Sequence, residues 1–377
     1  LLFNELGFSS SQIGGGITIA ATSGTIARLI AGFCLDEGVH FSNLLKIAAL
    51  FAISADIFLF NSYDINKYFQ GQILLGAAAG IYWPAAELAI PISCNDFPSA
   101  KGFALARTAD ALGISLGSTI GTIFSWISNI RFIYLIDIFC MILLINIVSL
   151  NLLRKRSLTL ESNIFLVKNN TLSEQLYRVR EVISDLGPIL FLSIFCTSIF
   201  ALLQSGLPLD LAEGGIYRLP LSKTSSGVLL STQLIFILFF QWPIGNWLSK
   251  KSTRYGLKFS LICLSFGSFL LAFSSFFTNS IILIVFALVF IALGLTAFLP
   301  TATEGVIRAS STSNRGIAMS LFSQCFGLSA VLAPISAGHI IDKQGNGMLL
   351  WLLLSFIALL LIPSTNLINK LKVDSTN

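Results

Sequence analysis

Residues 281–306 read IILIVFALVFIALGLTAFLPTATEGV, an apolar run whose one charged side chain, Glu304, stands near its end. A helix needs about 20 mostly apolar residues to cross the hydrocarbon core of a bilayer, and this run exceeds that length. Its hydrophobicity is continuous, whereas the strands of an outer-membrane barrel alternate in segments of about ten residues. Open sheets and loops are excluded from lipid because unpaired backbone groups there cost several kcal/mol each. The run therefore reads as a membrane-spanning helix.

The rest of the chain repeats that reading. Its 377 residues are 55% hydrophobic and 11% charged, against roughly 25% charged in a soluble protein. Apolar runs between polar breaks predict eleven spans: Gly14–Leu35, Leu44–Phe60, Phe69–Ile92, Gly102–Ser125, Phe132–Leu153, Ile189–Leu211, Val228–Leu248, Leu257–Phe277, Ile281–Val306, Ile317–Ile341 and Met348–Leu367. The long polar interruption lies between Arg154 and Asp185. The expected organisation is an N-terminal helical half over 1–153 with five spans, a cytoplasmic central loop over 154–185, and a C-terminal half over 186–377 with six. The fold class is all-α membrane protein.

The six cysteines are scattered, mostly within apolar runs, without the clustered spacing of a disulfide framework or a zinc site. His40 and His339 lie far apart, so no metal site is expected, and no cofactor is implied. The net charge of +5 follows membrane topology rather than nucleic-acid binding. With loops assigned alternately to two sides, one side collects Lys46, Lys101, Arg107, Lys250, Lys251, Arg308 and Arg315 among others, while the other takes only Lys67, Arg131, Arg218, Lys223 and Lys343. Such a bias marks the richer side as cytoplasmic and puts the C-terminus there. Leu1 then falls on the opposite side, and a further span ahead of it is expected. The expected location is the bacterial plasma membrane, and the expected state a monomer in contact with lipid.

Two stretches echo each other. Gly80-Ile-Tyr-Trp-Pro84-Ala-Ala-Glu87 is followed by Lys101-Gly102 and Gly113; Gly294-Leu-Thr-Ala-Phe-Leu-Pro300-Thr-Ala-Thr-Glu304 is followed by Arg315-Gly316 and Gly327. Parallel repeats of six spans build one large class of transporters. If the halves correspond, the first lacks one span at its front.

On these residues the chain resembles the major facilitator superfamily. That family has twelve helices in two six-helix halves, and its signature after the second helix is Gly-x-x-x-Asp followed by basic residues and Gly. Gly32-Phe-Cys-Leu-Asp36 supplies the Gly and Asp, with Glu37 in a basic place; Gly245-Asn-Trp-Leu-Ser249-Lys250-Lys251 is the second copy, with Ser for Asp. Two further patterns are eroded: Gln72-Ile-Leu-Leu-Gly76 has Gln where the family often has Arg, and Ser118 replaces a Pro of the antiporter pattern.

Charges inside a span face a cavity or a partner, because at the centre they cost at least about 2.5–3.5 kcal/mol. The resemblance implies a cytoplasmic gate from Arg28, Asp36 and Glu87, with Glu304, Arg308 and Arg315 as counterparts in the second half; static ties between helix ends are the alternative. Arg107 and Asp110, three apart, share a helix face and suit a charged substrate, a proton, or simple mutual neutralisation. The family's cavity helices point to Gln72, Tyr82, Trp83, Gln204, Thr296 and Thr301, with Gln324 as a further polar side chain. An aromatic-and-amide lining suits a small organic solute, although packing or interface anchoring accounts equally for Tyr82 and Trp83. The function implied is secondary active transport of a small organic solute by alternating access, with proton-coupled efflux as the favoured form. An intramembrane enzyme and a non-transporting scaffold are the alternatives. A chain without a GxxxxGK[ST] loop offers no phosphate cradle of that type for ATP.

Overall fold

A computed structural model of the chain describes residues 8, 10–94, 98–126, 129–150 and 172–368. The first part of the expected central connection, 154–171, lies outside these residues, as do Lys370 and Lys372. The described residues form helices α1 Ser10–Asp36, α2 Phe41–Phe60, α3 Ile65–Ser93, α4 Ser99–Trp126, α5 Phe132–Ser149, α6 Leu172–Gln204, α7 Gly206–Glu213, α8 Lys223–Leu248, α9 Thr253–Ser274, α10 Ile281–Ala309, α11 Arg315–Gln344 and α12 Met348–Leu361. Each of the eleven expected spans has its helix. Nine of these helices are long and apolar enough to cross a membrane. α4 is diluted by Lys101, Arg107 and Asp110, and α12 has 14 residues.

Two elements depart from the sequence reading. The span expected over Ile189–Leu211 breaks at Ser205 into α6 and α7, where Gly206 weakens the helix and Pro208 has no N–H to donate to the turn before it. α6 also begins at Leu172, well inside the expected polar connection. Polarity there marks a helix end outside the apolar layer, not an absence of helix.

The described residues cluster into two compact units. The first draws on Leu1–Asn95, Leu116–Ser184 and Ser310–Gly327; the second on Asp96–Ser115, Asp185–Ala309 and Leu328–Asn377. In the first, α3 packs on both α1 and α2, and α2 on α5. The α1–α3 approach is close: a Cβ added at Gly76 would stand 2.0 Å from the carbonyl oxygen of Ala20, so a side chain there is excluded. Ser23 Oγ donates to the Ile73 carbonyl at 2.9 Å and Tyr68 OH to that of Ile13 at 3.0 Å, tying the same two helices. Asp64 caps α3 by accepting from the Lys67 N–H, satisfying one of the N–H groups a helix start leaves open. α5 buries Val148 alone among its 18 residues; so apolar and exposed a helix fits lipid on most of its circumference.

In the second unit α9 packs on α10 and α12, and α8 on α10. Ser260 Oγ donates to the Gly294 carbonyl at 2.8 Å and Ser265 Oγ to that of Ser355 at 2.9 Å. Such small hydroxyl residues let membrane helices approach and bond across.

Candidate functional site

The first unit carries an ionic knot at the end of α1. Asp36, the last residue of α1, accepts from the backbone N–H of Gly316 at 2.6 Å and of Ile317 at 3.0 Å. These N–H groups belong to the first turn of α11, where no intrahelical acceptor exists and the helix dipole is positive. Arg178, from the start of α6, lies 3.4 Å from the same carboxylate. Its guanidinium also donates to Asn314 Oδ1 at 3.0 Å and to the Ser313 carbonyl at 2.7 Å. One turn back along α1, Gly32 admits α11: a Cβ there would meet Ser320 Cβ at 2.6 Å. Ser320 Oγ donates to the Arg28 carbonyl at 2.7 Å, and Gln324 Nε2 to that of Thr25 at 2.6 Å.

Of the residues singled out from sequence, this unit gathers Arg28, Asp36, Glu87, Arg315 and Gln324 with Gln72, Tyr82 and Trp83. Glu87 is 3% exposed, and its charge acts directly on Arg28. Arg315 opens α11 next to the Asp36 contact, with its Nε buried and without a hydrogen bond. Gln72, Tyr82 and Trp83 are half-buried along α3, the two rings edge-to-face with centroids 5.4 Å apart. Asp56 of α2 is buried with its carboxyl against that of Asp137 on α5. Arg178 and Asn314 went unnoticed in the sequence. Arg178 stands in a polar stretch where it counted only as a topological charge.

The second unit holds Arg107, Asp110, Gln204, Thr296, Thr301, Glu304 and Arg308. Arg107 and Asp110 pair at 3.1 Å along α4. Glu304 and Arg308 pair at 2.6 Å along α10, with the Glu304 side chain 4% exposed and that of Arg308 54%. Thr296 is fully buried, its hydroxyl turned onto the Leu293 carbonyl at 3.1 Å and its own carbonyl 3.4 Å from Gln241 Nε2. Gln204 is exposed at the end of α6.

A second knot in this unit was not foreseen. Asp210 of α7 and Arg218 pair at 2.8 Å with side chains 0% and 1% exposed. Asp210 also accepts from the Gly347 N–H at 2.9 Å and from Trp351 Nε1 at 3.0 Å. Arg218 donates further to Ser274 Oγ at 2.7 Å and to the Gly214 carbonyl at 3.1 Å. One ion pair thus ties α7, the end of α9 and the start of α12. The only sequence signal was an acid and a base eight residues apart around Gly214-Gly215. Between α6 and α11, Thr197 and Ser198 converge on Ser329 at 2.7 and 3.1 Å.

Long apolar helices with buried charge knots at their ends define an integral, multi-pass membrane protein. Residues 187–370 match the family model of the Major Facilitator Superfamily. The described residues share the fold of solved structures of that superfamily. It is similar to the proton:xylose symporter XylE (TM-score 0.74, 13% identity, 95% of this chain and 87% of that one). It is likewise similar to the E. coli fucose:proton symporter FucP (TM-score 0.74, 12% identity, 97% and 93%). A third likeness is to the human organic anion transporter MFSD10 (TM-score 0.68, 14% identity, 96% and 87%). Among curated proteins none matches by sequence. The chain is a protein of the major-facilitator fold, with the superfamily's sequence domain over residues 187–370.

Proposed function

We propose that the protein is a secondary active transporter that moves a small organic solute by alternating access. The observation that carries this reading is the bond from Asp36 to the start of α11. It joins positions 280 apart in the chain through one carboxylate and two backbone N–H groups, a contact that can be made or broken as a unit. Alternating access needs such a two-state element. In this reading residues 1–153 and 186–377 rock about the connection at 154–185. Asp36, Arg28, Glu87 and Arg315 hold the cytoplasmic gate, and Glu304 with Arg308 is its counterpart. The richer basic side of the membrane is the cytoplasm.

The solute path is assigned to Gln72, Tyr82, Trp83, Arg107, Asp110, Gln204, Thr296, Thr301 and Gln324. Aromatic faces and amides among them favour an amphipathic organic molecule, and proton-coupled efflux is the proposed form. The likeness to the xylose and fucose symporters supports a second reading, proton-coupled uptake of a polyhydroxyl solute.

Side-resolved labelling tests the proposal. Single cysteines at each end of α3 and of α10, in a chain freed of its own cysteines, are followed while solutes and pH are varied. Reciprocal protection, one end closing as the other opens, is the expected result. Accessibility fixed under every condition contradicts alternating access and favours a scaffold.

A further inference from the structure

Within the first unit, α2 and α5 each bring one acid to the face they share. Asp56 is the one acidic residue of α2, and Asp137 is the one charged residue of α5. Asp56 belongs to the buried stripe of α2, beside Ala52, Ala55 and Leu59, and is 2% exposed. The Asp137 carboxyl stands within hydrogen-bonding reach of it. α2 is the main support of α5, a helix that otherwise faces outward along most of its length.

The charged and titratable groups around the pair are engaged elsewhere or uncharged. Arg131, just before α5, donates to the carbonyls of Phe60 and Ser62 at the end of α2, and it lies over the Tyr63 ring at 4.1 Å. From α3, Tyr68 donates its hydroxyl proton to the Ile13 carbonyl. Asp64 and Lys67, at the start of α3, pair with each other at 3.9 Å, both about half exposed. Tyr134, one turn before Asp137, lies within electrostatic reach of Asp56, Tyr68 and Arg131. Among the described residues no ion pair includes Asp56 or Asp137.

A carboxylate only accepts hydrogen bonds, so two carboxylates facing each other have no bond to make. Asp56 Oδ2 is accordingly buried without a partner. Two like charges at that range do not both ionise, and an apolar helix pair in lipid penalises them further. A proton between the two groups supplies the missing donor and needs no cavity. A metal ion would call for four or more ligands, and no metal-binding group of three or more such side chains occurs among the described residues.

We infer that Asp56 and Asp137 form a proton-binding site, one proton shared between the two carboxyls at neutral pH, and that this proton keeps α5 against α2. Its loss leaves two charges face to face, and α5, which has little other support, moves away. The inference needs only the fold of the first unit and stands whether or not the chain transports.

The test is infrared spectroscopy of the full chain in lipid nanodiscs, with aspartate isotope-labelled at its carboxyl carbon. Protonated aspartate then gives a shifted carbonyl band, distinct from that of glutamate and from the carboxylate bands. The side chains of Asp36 and Asp210, also buried, each face an arginine. An acid band is expected at neutral pH, lost from Asp56→Asn and from Asp137→Asn alike, and lost from the unaltered chain as pH is raised. Spin labels at Asn43 and Leu150, exposed on α2 and just after α5, report the separation of the two helices by pulsed electron paramagnetic resonance. That distance should lengthen as the band disappears, and stay short at every pH in Asp56→Asn, whose amide N–H replaces the proton as donor. If a variant fails to fold, the labelled unaltered chain and its pH series still decide the matter. Absence of the acid band at neutral pH, or its persistence in both folded variants, would overturn the assignment. So would an unchanged distance after the band has gone. Loss of the band when potassium is replaced by sodium at constant pH would also overturn it, since a metal ion would then be the occupant.

Discussion

The Asp36 carboxylate accepts the backbone N–H of Gly316 at 2.6 Å, so the last residue of one membrane helix caps the first turn of another 280 residues away. The bond is charge-assisted and aligned with a helix dipole, which puts it among the stronger single contacts a side chain makes. It is also fragile in one respect. Both N–H groups of the α11 start depend on the same carboxylate.

Replacing Asp36 by Asn keeps the shape and removes the charge. A hydrogen bond to a charged group is worth about 1.5–3 kcal/mol, so the contact should open at least about tenfold more often. Ser320, 1% exposed against α1, reports it: a cysteine at that position should react with a soluble maleimide correspondingly faster in Asp36→Asn. An unchanged rate would remove Asp36 from the proposed gate.

The same contact can be opposed by bulk instead of charge. Gly32→Val places a Cβ 2.6 Å from that of Ser320, and overpacking of this kind costs about 1–3 kcal/mol. Labelling of the native Cys325, 2% exposed on α11, should rise, and Ser320→Gly in the same chain should recover part of the change. If the double variant behaves as the single one, the helices do not meet through this pair.

The Asp210–Arg218 pair is expected to act on stability. Removing one partner of a buried, fully bonded ion pair costs about 3–5 kcal/mol, because the other charge stays buried alone. Asp210→Ala also strands the Gly347 and Trp351 N–H groups. Thermal unfolding in detergent should show a large loss for Asp210→Ala and for Arg218→Met, and less than the sum for both together. Strict additivity would mean that the two charges do not depend on each other.

Gly76 tests the packing of the first unit alone. Gly76→Leu drives its side chain into the Ala20 carbonyl, and a backbone atom cannot rotate away. Loss of folded protein on size-exclusion chromatography is expected, while Gly113→Leu, with open space around its Cβ position, should be tolerated.

How far the sequence reaches is clear from particular residues. α10 was readable end to end, because its apolar run is set by the thickness of the bilayer and needs no partner to interpret. The break at Ser205 was missed because hydropathy continues through Leu207 and Leu209, and only Gly206 and Pro208 signal it. Asp36 is marked by a spacing pattern and Arg28 as a charge inside a span. Arg178 and Ser320, which meet them, and Asn314, which meets Arg178, carry no pattern of their own, since their roles arise from where α6 and α11 come to rest. The Asp210–Arg218 knot shows the same limit. Eight residues of separation mean nothing until the turn at Gly214 folds one side chain onto the other.

The central claim, that the contact at the end of α1 opens and closes, has one direct test. Spin labels at the exposed positions Asn43 and Ser313 flank that contact, and pulsed electron paramagnetic resonance in lipid nanodiscs gives the distribution of distances between them. Two populations are predicted, a short one corresponding to this structure and a longer one, exchanging weight with pH or solute and shifting to the longer in Asp36→Asn. A single short distance, unmoved by every condition and by Asp36→Asn, would contradict the account.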